Sequence, residues 1–306
     1  MKVLITGGTG TFGHAMTRRL LADTRVSRLV IYSRDEQKQE QMARAFPHEA
    51  IRFFIGDVRD QSRLEFAMRD IDTVFHAAAL KIVPIAEYNP YETVQTNIHG
   101  SENVTRAAIR ARVARAVLLS SDKAVNPVNL YGASKLAAEK IFMAASNFGG
   151  SGGPVFSAVR YGNVVGSRGS VVPLFQQIAE RGETLFPITH YEMTRFFITI
   201  DQAIDFVLSS TNVMQGRDIF IPKIPSVRVR DIPYALVDKP SLSIVGIRPG
   251  EKLHEVLLTE DESRNAYDSG DRYIIRPEPG NLPAGFRYSS DNNADWLTVA
   301  QLETMI

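Results

Sequence analysis

Five side chains that lie close together in the sequence could do acid–base chemistry. Ser121, Asp122 and Lys123 set a hydroxyl, a carboxyl and an amine side by side, directly after the apolar run 116–119. That run reads as a buried strand, so the three groups stand at a strand end. Tyr131 and Lys135 follow at i, i+4 spacing, which puts a phenol and an ammonium on one helix face. An ammonium so placed lowers the phenol's pKa toward that of a usable base. A Tyr-x-x-x-Lys pair alone is common by chance in helices. The bland alternative for Asp122 and Lys123 is a strand-end salt bridge, and adjacent opposite ions ordinarily stay charged, the wrong state for an acid and a base. Burial would favour the neutral pair, because desolvation raises a carboxyl pKa and lowers an amine pKa, and Lys135 would push Lys123 down further.

The elements that must position these groups begin at the N-terminus. Residues 2–6 read as a short buried strand, and Gly7-Gly8-Thr9-Gly10-Thr11-Phe12-Gly13 follows at once, before a helical stretch to about residue 21. Strand, glycine turn and helix are the context of a dinucleotide fingerprint. Gly7 allows the tight turn, Gly10 the approach of backbone to a pyrophosphate and Gly13 close helix packing, with the helix N-terminus facing the anion. Thr9, Thr11 and Phe12 belong to the same expected cofactor contact.

A second strand, 28–32, ends where an NAD site places an Asp or Glu on the ribose. Here stand Ser33 and Arg34. A guanidinium suits a 2′-phosphate, so NADP is the expected cofactor. Asp35 is the acid that a shift of one residue would restore, and Lys38, on a charged helix expected over 35–46, could also reach the phosphate.

Apolar runs at 51–55 and 73–76 with a helix near 63–69 continue the alternation, and a sixth strand is expected at 155–161 after the glycine-rich loop 149–154. The fold class is α/β, a doubly wound parallel sheet, with ligands at the carboxyl ends of its strands. Asp57, Val58, Ala77, Ala79 and Lys81 fall at such ends; a plain surface lysine is the even alternative for Lys81. His76 reads as structural, and so does the cluster Arg110, Arg112, Arg115 near the C-terminus of a helix expected over 89–111. Residues 1–165 are expected to form the dinucleotide-binding domain, with a return segment near 199–222. A smaller substrate domain takes 166–198 and 223–306.

Composition narrows the function classes. The 306 residues, 44% hydrophobic, can bury a sizeable core. With 35 basic against 34 acidic side chains the net charge is +1, so no global field calls for nucleic acid or an anionic membrane. The absence of cysteine excludes disulfides, thiolate catalysis and Cys-ligated zinc. No metal is expected, since His254-Glu255 lacks the second histidine of a zinc helix. Neither a signal peptide nor an apolar run of membrane length is evident, so a cytoplasmic protein without membrane contact is expected.

From residue 162 the alternation breaks. Residues 162–170 offer backbone amides, Asn163 and Arg168 in one loop suited to a nucleotide diphosphate, and 246–252 form another turn presenting cations. Beside Gly7–Gly13, the segments 32–36, 54–60, 76–81, 121–124, 160–173, 193–196 and 246–256 together resemble the inverting UDP-N-acetylglucosamine 4,6-dehydratases, extended short-chain dehydrogenases/reductases that open the route to pseudaminic acid. The match runs over almost the whole chain. Ser121 stands where that family more often has threonine, and His190 where it often has an acid.

The resemblance implies an NADP-dependent hydro-lyase acting on UDP-N-acetylglucosamine. Tyr131, as phenolate, takes the 4-hydroxyl proton, Lys135 tunes it and holds the nicotinamide ribose, Lys123 removes the C5 proton and Asp122 lets the 6-hydroxyl leave as water. Reprotonation from the opposite face inverts C5. The implied substrate contacts are Lys81, Asn163, Val164, Arg168, Gly169, Ser170, Val171, Leu185, Thr189, Arg195, Arg248 and Glu251, in a homo-oligomer, dimer or hexamer. Three other readings remain: a retaining nucleotide-sugar 4,6-dehydratase; a 4-epimerase, which would leave Asp122 and Lys123 without chemistry; and a dinucleotide sensor, which would not need Tyr131 and Lys135.

Overall fold

The computed structural model describes residues 1–150, 152–167 and 169–306; Ser151, in the expected glycine-rich loop, and Arg168, an expected substrate contact, lie outside the described residues. Six strands carry the first half of the chain: β1 (Lys2–Thr6), β2 (Arg28–Ser33), β3 (Ile51–Ile55), β4 (Thr73–His76), β5 (Arg115–Leu119) and β6 (Val155–Val159). Apart from β3, they are buried along nearly their whole length. Strands of that kind need cover on both faces, which parallel pairing with crossover helices supplies. Alternate residues serve opposite layers: Leu4, Val30 and Leu118 face one apolar cluster, and Val3, Ile5, Ile31 and Val117 the other.

The strand order is β3-β2-β1-β4-β5-β6, followed by the parallel return strand Ile219–Pro222. Thr6 pairs with Tyr32 on one side and His76 on the other, so the carboxyl ends of β1, β2 and β4 lie level. The order reverses between β1 and β4. A crevice opens at that switch point, edged by the glycine turn after β1 and the segment after β4.

Helix starts differ in a way that matters for this crevice. Asp35 and Asp60 cap α2 (Glu36–Ala45) and α3 (Gln61–Ala67), accepting from the backbone N–H groups of Lys38 and Arg63. At α1 (Thr11–Leu21) the N-cap is Gly10, which has no side chain to do this. Its first amides remain available to a ligand.

The helix expected over 89–111 is interrupted. Pro90–Thr93 and Gly100–Arg110 are α-helical, and Val94–His99 between them is a π turn. Within it Asn97 is buried: its Nδ2 donates to the Leu80 carbonyl and to Ser134 Oγ, and its Oδ1 accepts from the Leu80 amide. The segment leading to Lys81 is clamped by those bonds.

A third apolar cluster, built on Phe175, Phe186, Phe197 and Val227, lies in the second half, between the helix Val171–Glu180 and the short strands Leu185–Ile188, Thr194–Ile198 and Ser226–Arg228. Not all of 223–306 stays with it. Arg272–Ile275 pairs antiparallel with Ile219–Pro222, and Ala266–Asp268 pairs with Arg272–Ile275, so among the described residues the large sheet has nine strands. These two strands, expected in the substrate domain, instead bury Ala266, Tyr273 and Ile274 against the sheet's own core. No helix among the described residues is long and apolar enough to cross a membrane.

Candidate active site

A cavity of about 770 Å³ runs from the switch point into the second half of the chain. Thr11, Phe12, Ala77, Ala79 and Lys81 line its sheet side, with Ser121, Lys123, Tyr131 and Lys135 beside them. Asn163, Val164, Gly169, Ser170, Val171, Thr189, Arg195, Arg248 and Glu251 line the opposite side. Groups expected to act on a cofactor and on a substrate thus share one space. Leu185 does not join them: it is exposed at the start of its strand, and the cavity is met further along, by Pro187, Ile188 and Thr189.

The glycine turn is shaped for close contact. A Cβ on Gly13 would fall 2.0 Å from the Gly8 carbonyl oxygen, and one on Gly7, whose φ is +66°, would press on the Ala78 backbone at 2.9 Å. Across the turn's outer side, Arg34 is half exposed, with Nη1 3.6 Å from Asp57 Oδ2. Burial works against the Asp57 carboxylate, but Arg59 and the Arg59 amide hold it below its ordinary pKa. Asp35 is committed to capping α2 and to an ion pair with Lys38 at 2.7 Å, so it is not offered as a ribose acid. Ser33 accepts from Gln39 Nε2 at 3.0 Å, and the Val58 side chain packs into the core. His76 is buried and neutral, bonded to Thr6 Oγ1 at 2.7 Å and Ser101 Oγ at 3.0 Å; burial, helped by Lys135, lowers it to about 3.

At the end of β5 the chain makes a short 3-10 turn, Asp122–Ala124, started by Ser121, whose Oγ accepts from the Lys123 amide. This turn presses Asp122 into the interior, fully buried, and leaves Lys123 at the cavity wall. Asp122 Oδ1 accepts from Ser121 Oγ at 2.7 Å and from Lys123 Nζ at 2.9 Å. Its Oδ2 is buried with no hydrogen-bond partner among the described residues. Asn163 Oδ1 and Ser170 Oγ, on the facing wall, are orphaned in the same way. Buried polar atoms without partners are rare and point to a missing ligand or a held proton.

The helix Leu130–Ala145 is capped by Asn129, which accepts from the Gly132 amide. It brings Tyr131 and Lys135 to the cavity, but their relation differs from the expected one. The Lys135 ammonium donates to the Leu119 carbonyl, and burial lowers its pKa to about 8 against the pull of Glu139. Burial raises the Tyr131 phenol, Asp122 adds to the rise, and the groups that counter it are Lys123 and Ser121. Of the two lysines, Lys123 is the one that counters this rise.

Lys123 itself is charged. Burial works to lower its pKa, but Asp122 and Glu255 outweigh burial and the opposing Arg195, and hold it well above the ordinary value. The neutral amine expected for Lys123 is thus not its resting form: Asp122 first and Glu255 second favour the ammonium. Glu255 is not among the site residues that the sequence offers: it stands in the His254-Glu255 pair and in the resembling segment 246–256, but no local spacing ties it to Lys123. Arg195 is drawn in too: its Nη1 donates to the carbonyls of Thr194 and Leu253 at 2.7 and 3.1 Å. Arg248 stays exposed at the rim, its Nε 3.9 Å from Glu251.

A doubly wound sheet with a glycine turn at its switch point and a Tyr-x-x-x-Lys helix across the crevice defines an extended short-chain dehydrogenase/reductase. Within that class, the family described as "Polysaccharide biosynthesis protein" matches residues 3–277. The "UDP-N-acetylglucosamine 4,6-dehydratase (inverting)" of Campylobacter jejuni subsp. jejuni serotype O:23/36 (strain 81-176) is 48% identical, over 99% of this chain and 96% of its own. The "UDP-glucose 4-epimerase" of Rickettsia bellii (strain OSU 85-389) is 42% identical over 89% and 82%. Among solved structures, "X-ray structure of Pen from Bacillus thuringiensis" superposes with a TM-score of 0.93 at 37% identity, over 100% of this chain and 96% of that one. The chain belongs to this family of polysaccharide biosynthesis proteins.

Proposed function

We propose that the protein is an NADP-dependent hydro-lyase that dehydrates UDP-N-acetylglucosamine across C5 and C6 and inverts C5, giving UDP-2-acetamido-2,6-dideoxy-β-L-arabino-hex-4-ulose, the opening step toward pseudaminic acid. The observation that carries this reading is the Asp122–Lys123 pair beside Tyr131, with Lys123 at the cavity wall, Asp122 buried behind it and one Asp122 oxygen without a hydrogen-bond partner among the described residues. The 48% identical relative bears the name of this activity.

The crowded glycine turn and the uncapped N-terminus of α1 fit a dinucleotide pyrophosphate. Arg34 and Lys38 would hold a 2′-phosphate, and Lys135 the nicotinamide ribose. When bound, the nicotinamide supplies a hydride acceptor for C4 and returns the hydride to C6. Tyr131 removes the 4-hydroxyl proton, aided by the Lys123 charge. The proton of Lys123 then passes along the 2.9 Å bond to Asp122. That transfer leaves an amine for the C5 proton, acidified by the 4-ketone, and an acid for the departing 6-hydroxyl. Arg248 at the rim and Asn163 on the facing wall would bind the nucleotide diphosphate.

The 4-epimerase name on a 42% identical relative keeps a second reading open. Incubation with UDP-N-acetylglucosamine separates them by NMR. Dehydration gives a new C6 methyl doublet, with coupling constants that report the C5 configuration, whereas epimerisation gives only a second hexose. Absence of the methyl signal with a folded, cofactor-loaded enzyme would overturn the dehydratase reading.

A further inference from the structure

Glu255 is an anomaly in the cavity wall. Only 3% exposed, it lies within ion-pair distance of three cations: Lys123 Nζ at 3.4 Å, Lys252 Nζ at 3.5 Å and Arg195 Nε at 3.9 Å. Its Oε2 has no hydrogen-bond partner among the described residues. Its own backbone and two of the three cations are held by hydrogen bonds. The Glu255 amide donates to Ser290 Oγ at 2.9 Å, and its carbonyl accepts from the Ser290 amide at 2.8 Å. Lys252 donates to the Val125 carbonyl at 2.6 Å, and Arg195 to the Thr194 and Leu253 carbonyls. A carboxylate on a backbone so held, between two tied cations, is a fixed reference for Lys123, which among the described residues is the one cation of the three with no such bond to a carbonyl.

We propose that Glu255 is a positioning residue for the base: it holds Lys123 Nζ in place and supplies the negative charge facing the ammonium formed when the C5 proton is taken. The argument is one of charge accounting, and it rests on the dehydratase reading above. The C5–H bond breaks, its electron pair enters the C4 ketone as an enolate, and the proton joins the Lys123 lone pair. At that moment Asp122 is protonated, because it has yet to release the 6-hydroxyl as water. It therefore cannot offset the new ammonium. Among the described residues Glu255 is the only other carboxylate within ion-pair distance of Lys123 Nζ. The arrangement parallels the buried aspartate of a serine-protease triad, which orients a histidine and stabilises its cation without itself taking the proton.

The groups facing Lys123 are Asp122 on its own turn, Glu255, Arg195 from the strand Thr194–Ile198 and Tyr131 from the helix Leu130–Ala145, with Lys252 behind Glu255. Removing one negative charge from that set must make Lys123 easier to deprotonate. Glu255→Gln should accordingly show two effects of opposite kind. Exchange of the C5 proton with deuterated water in a single turnover should slow by about a hundredfold, while the Michaelis constant for the nucleotide sugar changes by less than about twofold. The acid limb of the exchange rate should move to lower pH. Competitive acetylation with acetic anhydride, read by mass spectrometry at Lys123, should show the same displacement in the absence of substrate. Glu255→Asp keeps the charge but withdraws it, so its limb should fall between the two.

Unchanged exchange with unchanged acetylation would overturn the proposal. So would a raised Michaelis constant with normal exchange, which would assign Glu255 to nucleotide binding through Lys252 and Arg195. Should Glu255→Gln not fold, Glu255→Asp decides: a wild-type rate and limb overturn the idea, and a slower rate with a displaced limb supports it. If the wild-type protein forms no 6-deoxy product, the dehydratase reading fails, and acetylation still tests the hold of Glu255 on Lys123.

Discussion

Two buried charge clusters tie the segment 255–262 to the central sheet, and they are built to opposite rules. In the first, Arg160 at the end of β6 is fully buried and meets Glu139 through Nε and Nη2 at 2.9 and 2.7 Å, and Glu262 through both Nη atoms at 3.0 and 2.8 Å. Leu257 O and Ser120 Oγ complete it, and none of its side-chain oxygens or nitrogens is left without a partner among the described residues. In the second, Lys123 sits between Asp122 and Glu255, each with one oxygen lacking a hydrogen-bond partner among the described residues, and the cluster opens on the cavity. A saturated network has no proton to move and nothing to offer a ligand. The unsaturated one has both, at a cost in stability that only a function explains.

The largest effects should therefore separate cleanly. Arg160→Met leaves Glu139 buried without its partner, and should cost about 3–5 kcal/mol in denaturant unfolding. Lys123→Ala should abolish C5 proton exchange and slow C4 oxidation without abolishing it, because Tyr131 loses the cation beside it but keeps its place in the cavity. Asp122→Asn, an amide unable to deliver a proton, should let C5 exchange outlast dehydration. A stable Arg160→Met with lost exchange would merge the two clusters into one.

His76 extends the saturated class to a neutral group, and its pH dependence has a definite sign. Its folded pKa, about 3, lies below the ordinary 6.5, so the unfolded chain binds the proton first. Stability from this residue is complete above pH 6.5 and is lost as pH falls toward 3. At pH 5 the loss should be about 2 kcal/mol relative to pH 7. Urea unfolding at the two pH values measures it, and His76→Gln should flatten that part of the slope.

The same contrast explains what the sequence made legible. Ser121, Asp122, Lys123, Tyr131 and Lys135 lie within one turn and helix, so their encounter follows from local spacing. The strands β1 to β6 announce themselves by short apolar runs, broken only at Arg52 in β3 and Ser157 in β6. Glu255 reaches Lys123 only because the chain returns from the far side of the cavity, and nothing near either residue encodes that. The π turn at Val94–His99 shifts the helical face by one residue, but VQTNIH carries only two apolar side chains, too few to register the slip. Arg272–Ile275 is too short, and opens on too polar a residue, to declare itself part of the large sheet.

Arg34 and Asp57 form a third, looser pair, 3.6 Å apart with the guanidinium half exposed. Such a pair adds little to stability, so Arg34→Ala should leave unfolding within about 0.5 kcal/mol. Its effect should be on the ligand: the expected preference for NADP over NAD, read by isothermal titration, should drop by about tenfold, or about 1.4 kcal/mol. Equal affinities in the wild type would remove Arg34 from the cofactor site.

The smallest effect tests whether the two clusters are mechanically independent. Glu262, the outer acid of the saturated cluster, is also half of a capping box: Thr259 Oγ1 accepts from the Glu262 amide at 3.1 Å, and Glu262 Oε2 accepts from the Thr259 amide at 3.1 Å. Thr259→Ala removes the hydroxyl but not the Arg160 contacts, and should cost about 1 kcal/mol in unfolding. Glu255, four residues earlier, is fixed separately by the two backbone bonds to Ser290. If that anchoring isolates it, C5 exchange in Thr259→Ala proceeds at the wild-type rate with an unmoved pH limb. A displaced limb would mean that the cap at residue 259 transmits to Lys123, so that the saturated cluster sets the geometry of the reactive one.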